Sequence, residues 1–143
     1  MKDTQFAKIV VFTSSLVPLA LLIWDKSTGE LGADPVNYVT RTTGILALVF
    51  LLLSLTVTPL RRITGKNYWS LFRRMLGLYA FFYAAIHMLC FVAWYQNWSL
   101  SGVITETIKR PYIMFGMGAF LLMVPLAATS TVWAIKKMGN KKW

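Results

Sequence analysis

The sequence predicts an all-α integral membrane protein, a bundle of four transmembrane helices with both termini on the cytoplasmic side. Three observations predict it. The 143 residues are 57% hydrophobic and only 14% charged, more apolar surface than one water-soluble core of this size can hide. Four long stretches contain no Asp, Glu, Lys or Arg: Ile9 to Trp24, Thr43 to Leu60, Met75 to Trp94 and Tyr112 to Ile135. The cations, finally, are distributed unevenly between the two sides that these stretches define.

A helix rises about 1.5 Å per residue and a bilayer core is about 30 Å thick, so roughly 17 to 25 apolar residues span it. The expected helices cover residues 6–24, 43–60, 75–94 and 112–135 of one transmembrane domain, 1–143. In the first, Phe6 extends a slightly short run and Lys8 can snorkel to the headgroups. Lys2 and Lys8 before an apolar run also resemble a secretory signal. No convincing small-x-small cleavage site follows before Asp34, so the segment is expected to stay as an anchor. The fourth helix opens at Lys109-Arg110-Pro111, where proline suits a first turn. Gly116 and Ala119 should allow close packing, and Pro125 should bend the helix, with Thr129, Ser130 and Thr131 able to bond the freed carbonyls.

Cytoplasmic flanks collect Lys and Arg. An inside N-terminus places Lys2, Lys8, Arg61, Arg62, Lys66, Arg73, Arg74, Lys136, Lys137, Lys141 and Lys142 inside, and only Lys26, Arg41, Lys109 and Arg110 outside. Four acids, Asp25, Glu30, Asp34 and Glu106, also fall outside and leave that face neutral. Trp24, Trp94, Tyr95, Trp98 and Tyr112 mark the outer headgroup layer, and Tyr68, Trp69, Trp133 and Trp143 the inner one.

The net charge of +10 would suit nucleic acid, but the cations sit in short clusters beside apolar runs, so membrane lipids, not nucleic acid, are the expected partner. The spans hold no carboxylate or lysine for paired-acid hydrolysis, proton relay or voltage sensing. No Walker loop, GxGxxG turn, HExxH or nucleophile elbow occurs. No catalytic residue is assigned. Cys90, the only cysteine, can form no intrachain disulfide and reads as an inert buried thiol.

His87, the only histidine, is the one readily titratable group inside a span, and an ionisable residue there is a functional candidate. Tyr79, Tyr83 and His87 follow at i, i+4 and i+8 and form a drifting polar stripe with Ala80 and Ala84 beside it. Two readings stand side by side. The small residues leave room for a flat porphyrin with His87 as axial ligand to its iron, or His87 makes one interhelical hydrogen bond and the alanines admit a neighbouring helix. The cluster around Arg73 and Arg74 suits flavin phosphates, haem propionates or lipid phosphates.

The segments Ala33-Asp-Pro-Val-Asn-Tyr38, Leu55-Thr-Val-Thr-Pro-Leu-Arg-Arg62, Arg73-Arg-Met-Leu-Gly-Leu-Tyr79 running on to His87, Lys109-Arg-Pro-Tyr112 and Leu126-Ala-Ala-Thr-Ser-Thr131 resemble, in order and spacing, the haem-binding membrane subunits of periplasmic protein-methionine-sulfoxide reductase systems, within the ferric-reductase-like transmembrane superfamily. The resemblance implies a non-catalytic electron conduit of the bacterial inner membrane. Electrons would come from the quinone pool or a flavin reductase, pass through b-type haem and in places FMN, and reach a periplasmic molybdopterin-containing methionine-sulfoxide reductase catalytic subunit. It makes His87 a haem iron ligand, while the stripe and the basic cluster leave Tyr83, Arg73 and Arg74 as further cofactor-binding candidates. It implies six spans, of which this sequence corresponds to the first four. The alternatives are a ferric reductase of the same superfamily and a cofactor-free structural or assembly protein.

Overall fold

A computed structural model describes residues 2–30, 32–66 and 69–130, with the side chains of residues 2–4, 7 and 71 excepted. Among the described residues five α-helices follow in order: α1 Lys2–Thr28, α2 Pro35–Thr64, α3 Trp69–Cys90, α4 Leu100–Lys109 and α5 Pro111–Thr129, with a π-helical turn, Phe91–Tyr95, continuing α3. No strand occurs among the described residues. Four helices, α1, α2, α3 with its π turn, and α5, are long and apolar enough to cross a membrane. Tyr68, Thr131, Trp133, Trp143 and the basic segment from Lys136 onward lie outside the described residues, as does the end of the fourth expected span.

The helices run past the charge-free stretches because arginine and lysine are good helix formers whose long stems let the charge reach water. The limits of α2 are set by capping. The Asp34 carboxylate accepts from the Asn37 amide at 3.1 Å, Pro35 occupies the first turn, and Gly65 closes the helix at φ 66°, its amide donating to the Arg61 carbonyl at 2.9 Å. That left-handed φ is open to glycine without strain.

The sequence expectation left the stretch between the third and fourth spans without structure, and α4 occupies it. Ser99 caps α4 by accepting from the Gly102 amide at 3.2 Å. Leu100, Ile104 and Ile108 form an exposed apolar stripe along it, the pattern of a helix lying in the headgroup layer. The exposed Trp98 and Tyr112 flank it. The pair Asn97 and Trp98, both at positive φ, makes the sharp turn into α4.

α3 is the hub. It packs most extensively on α2, and small residues bring the two backbones together: a Cβ on Gly77 would lie 3.4 Å from the Ser54 hydroxyl, which donates to the Arg73 carbonyl at 2.9 Å. Phe50 of α2 stacks on Tyr83 with centroids 5.4 Å apart and planes 5° from parallel. Tyr83 and Ala80 are fully buried in this cluster, so Ala80 admits a helix, as one of the two sequence readings had it. The Tyr83 hydroxyl donates to the Ser15 carbonyl of α1 at 2.5 Å, a bond worth on the order of 1 kcal/mol between helices in lipid. By contrast α5 has no buried residue. Its stacked Phe120 and Phe81, centroids 5.7 Å apart, set its register against α3.

Candidate functional site

His87 sits on the face of α3 toward α2, and its Nδ1 lies 2.7 Å from the Thr40 carbonyl. A carbonyl oxygen can only accept, so Nδ1 carries the proton and donates. In the neutral ring the remaining lone pair is then on Nε2, the tautomer that a metal-ligating histidine needs. Thr40 is held in turn. Its own hydroxyl donates to the Val36 carbonyl at 2.8 Å, and the buried Thr43 hydroxyl donates to the carbonyls of Val39 at 2.8 Å and Thr40 at 3.0 Å.

Gly44 makes room for the ring. A Cβ at this position would come within 3.0 Å of both Cε1 and Nδ1 of His87, closer than side chains pack without displacement. The imidazole is therefore clamped by the Thr40 carbonyl and the bare backbone of Gly44.

His87 lines a cavity of about 800 Å³ between α2, α3, α4 and α5, within the ~300–1,000 Å³ range of cofactor and small-molecule sites. Its walls are mostly apolar: Ala47 and Leu51 of α2, Ala84 and Phe91 of α3, Gly116 and Phe120 of α5. The π turn stacks Phe91 and Tyr95 with centroids 6.2 Å apart, and both line the cavity. At one end the lining is polar, with Gln96, Glu106, Arg110 and Tyr112. A flat apolar group with an acidic edge suits this chemistry: a histidine in the wall, small residues beside it, and a cation at the rim.

A second cavity, about 640 Å³, lies between α2, α3 and α5 toward the opposite end and shares Leu51 and Met123 with the first. Arg61, Arg73 and Arg74 line it, as do Ser70 and Ser130.

The sequence candidates thus separate. Tyr83 does not line the His87 cavity and is committed to Ser15 of α1, because a drift of 40° per i, i+4 step turns it toward a different neighbour. Arg73 and Arg74 line the second cavity, not the first. Gly116 and Ala119 face the cavity of His87 rather than a packed helix. Thr129 and Ser130 bond the carbonyls of Pro125 and Leu126, not Leu121, whose partner Pro125 removes. Cys90 is buried and outside the cavity lining. Sequence reasoning missed Thr40, Gly44 and Arg110 as site residues. The cluster Arg-Thr-Thr-Gly44 carried the signal, since a glycine and two threonines at the start of an apolar run are what a close interhelical approach requires.

Residues 43–143 match the family described as ferric reductase like transmembrane component. The chain belongs to this family. Its four long apolar helices and that membership make it a multi-pass membrane protein. It is 42% identical over 142 residues, 99% of its length, to the protein-methionine-sulfoxide reductase heme-binding subunit MsrQ of Ralstonia nicotianae. It is 40% identical over 95% of its length to the subunit of the same name from Herminiimonas arsenicoxydans, and 43% identical over 95% to that of Bordetella pertussis. The chain spans 65%, 62% and 66% of those relatives, less than two thirds of each. No solved structure matches it.

Proposed function

We propose that the chain is a haem-binding electron-transfer subunit of a bacterial inner membrane, serving a methionine-sulfoxide reductase. One observation carries the reading: the only histidine of the sequence lines a large apolar cavity in the tautomer that leaves Nε2 free to ligate. The names of the similar subunits point the same way. A b-type haem, when bound, supplies a one-electron couple inside the bilayer. The protein's part is to hold the imidazole at one angle, to keep its proton on Nδ1, and to exclude water with the walls of α2, α3 and α5. Electrons enter from the quinone pool or a flavin reductase and leave to a periplasmic, molybdopterin-containing catalytic subunit that reduces methionine sulfoxide. Arg61, Arg73 and Arg74 at the second cavity suit a phosphate, of FMN or of a lipid.

Detergent-purified protein, expressed with ample haem and reduced by dithionite, should show the sharp visible bands of b-type haem. A featureless visible spectrum would sink the reading in favour of a cofactor-free protein. With one histidine in 143 residues, His87 would be the only imidazole this sequence offers to a haem. The spectrum of this chain by itself should therefore shift on adding carbon monoxide or imidazole, and a ligand-insensitive low-spin spectrum would contradict that. Chelated iron reoxidising the haem as fast as the sulfoxide reductase does would favour a ferric reductase.

The expected orientation puts α4 and the His87 cavity toward the periplasm. A reporter that works only in the cytoplasm should be active after Trp143, and one that works only in the periplasm should be active near Glu30. The reverse pattern would invert the topology.

A further inference from the structure

Both cavities offer arginine to a ligand, at different heights in the bundle. The three arginines of the second cavity include Arg73, 14 residues before His87, roughly 20 Å along the helix axis. Short acid arms on a ring seated at His87 do not bridge that separation. The cation that lines the cavity of His87 is Arg110.

Register places Arg110 at the right height. α3 lines the first cavity with residues 84–91 against 112–123 of α5, and the second with 70–81 against 123–130, so the two helices are antiparallel. Phe81 stacks on Phe120. Six residues up α3 from Phe81 is His87, and six residues back along α5 from Phe120 is Met114. Arg110 lies four residues further, about 6 Å beyond the level of His87 toward the end bearing α4.

We propose that Arg110 is the carboxylate receptor of this cavity, holding the propionate edge of a porphyrin that His87 ligates. The inference rests on the haem reading above. A carboxylate taken from water into a membrane cavity is costly unless it is paired, and the guanidinium of Arg110 is already arranged for a carboxylate. Its Nε lies 3.0 Å from Oε2 of Glu106, and its Nη1 donates to the Tyr112 hydroxyl at 2.9 Å. Those two contacts use two of five N–H donors, and the rest remain for a second carboxylate in the fork geometry that arginine favours. The contact joins an exposed guanidinium to a half-buried carboxylate one helical turn away, a pair open to solvent on the arginine side, so a propionate can share or replace it. Tyr112, itself a cavity residue, steadies the guanidinium at the rim.

The test compares iron protoporphyrin with its dimethyl ester, which keeps the ring and the iron but has no free carboxylates. Both are titrated into the detergent-solubilised chain freed of haem. The unmodified chain should bind the free acid about tenfold more tightly, the equivalent of one charge-assisted hydrogen bond. Arg110→Gln should remove that preference. Its side chain makes no capping bond to α5, and unchanged helicity by circular dichroism checks that the bundle is intact. Lys109→Gln removes the same charge one residue away, outside the cavity lining, and should keep the preference. Equal affinities in the unmodified chain, a preference that survives Arg110→Gln, or its loss in Lys109→Gln would each overturn the proposal. His87→Ala separates the two ideas: it should weaken both porphyrins alike, and unchanged affinity for both would refute the haem reading, not the role of Arg110.

Discussion

Replacing His87 with alanine should remove essentially all bound haem from the purified protein. The sequence contains no second imidazole, and the apolar walls around it offer a porphyrin packing but no comparable nitrogen donor. The loss should be specific. His87 is half-buried, its one protein hydrogen bond goes to a helix carbonyl that Thr43 also serves, and the Phe50, Ala80 and Tyr83 cluster that holds α2 to α3 is built without it. The variant should therefore insert and keep its helicity while its visible bands disappear. Full haem bands in His87→Ala would show that iron is held elsewhere.

Gly44→Val should be nearly as damaging, although Gly44 carries no functional group. A single added carbon would stand 3.0 Å from two atoms of the imidazole, and a branched side chain must push the ring away. That movement breaks the Nδ1 to Thr40 carbonyl bond, frees the tautomer and moves Nε2. Loss of a bond that orients a ligating histidine costs roughly 10- to 100-fold in affinity, so haem retained through detergent purification should fall by at least about tenfold. Gly44→Ala should show the same loss in weaker form, because the neighbour need yield only a few tenths of an ångström. Haem content in Gly44→Val equal to that of the unmodified chain would mean that the ring is not clamped there.

The glycine effect explains why the site was only partly legible in the sequence. His87 was legible as a candidate, since an ionisable residue is costly in an apolar span, and the plainer of its two readings, one interhelical hydrogen bond, is made to the Thr40 carbonyl. What it faces was not legible, because a helical stripe tells which residues share a face and not which neighbour that face meets. Tyr83 and His87, two positions on one expected stripe, bond to α1 and α2 respectively. Arg73 and Arg74 were cofactor-binding candidates from charge alone, and the length of α3 puts them at the second cavity and not at that of His87. Arg110, expected as an outer-flank cation where the fourth helix opens, becomes a site candidate only in the structure, where it lines the His87 cavity with Glu106 of α4 and Tyr112 of α5.

The four apolar helices, their order and the lone histidine inside them were legible in the sequence. Those depend on local quantities: run length against bilayer thickness, the cost of a charge in lipid, and the chemistry of a single side chain. Which carbonyl holds the imidazole, which glycine receives it, which alanine packs a helix and which opens a cavity, and which arginine stands at that cavity's mouth came from the packing of the helices. In lipid the outward faces of the helices are as apolar as their contacts, so hydropathy does not mark which face meets a partner. The choice falls to small residues and single hydrogen bonds between helices distant in sequence.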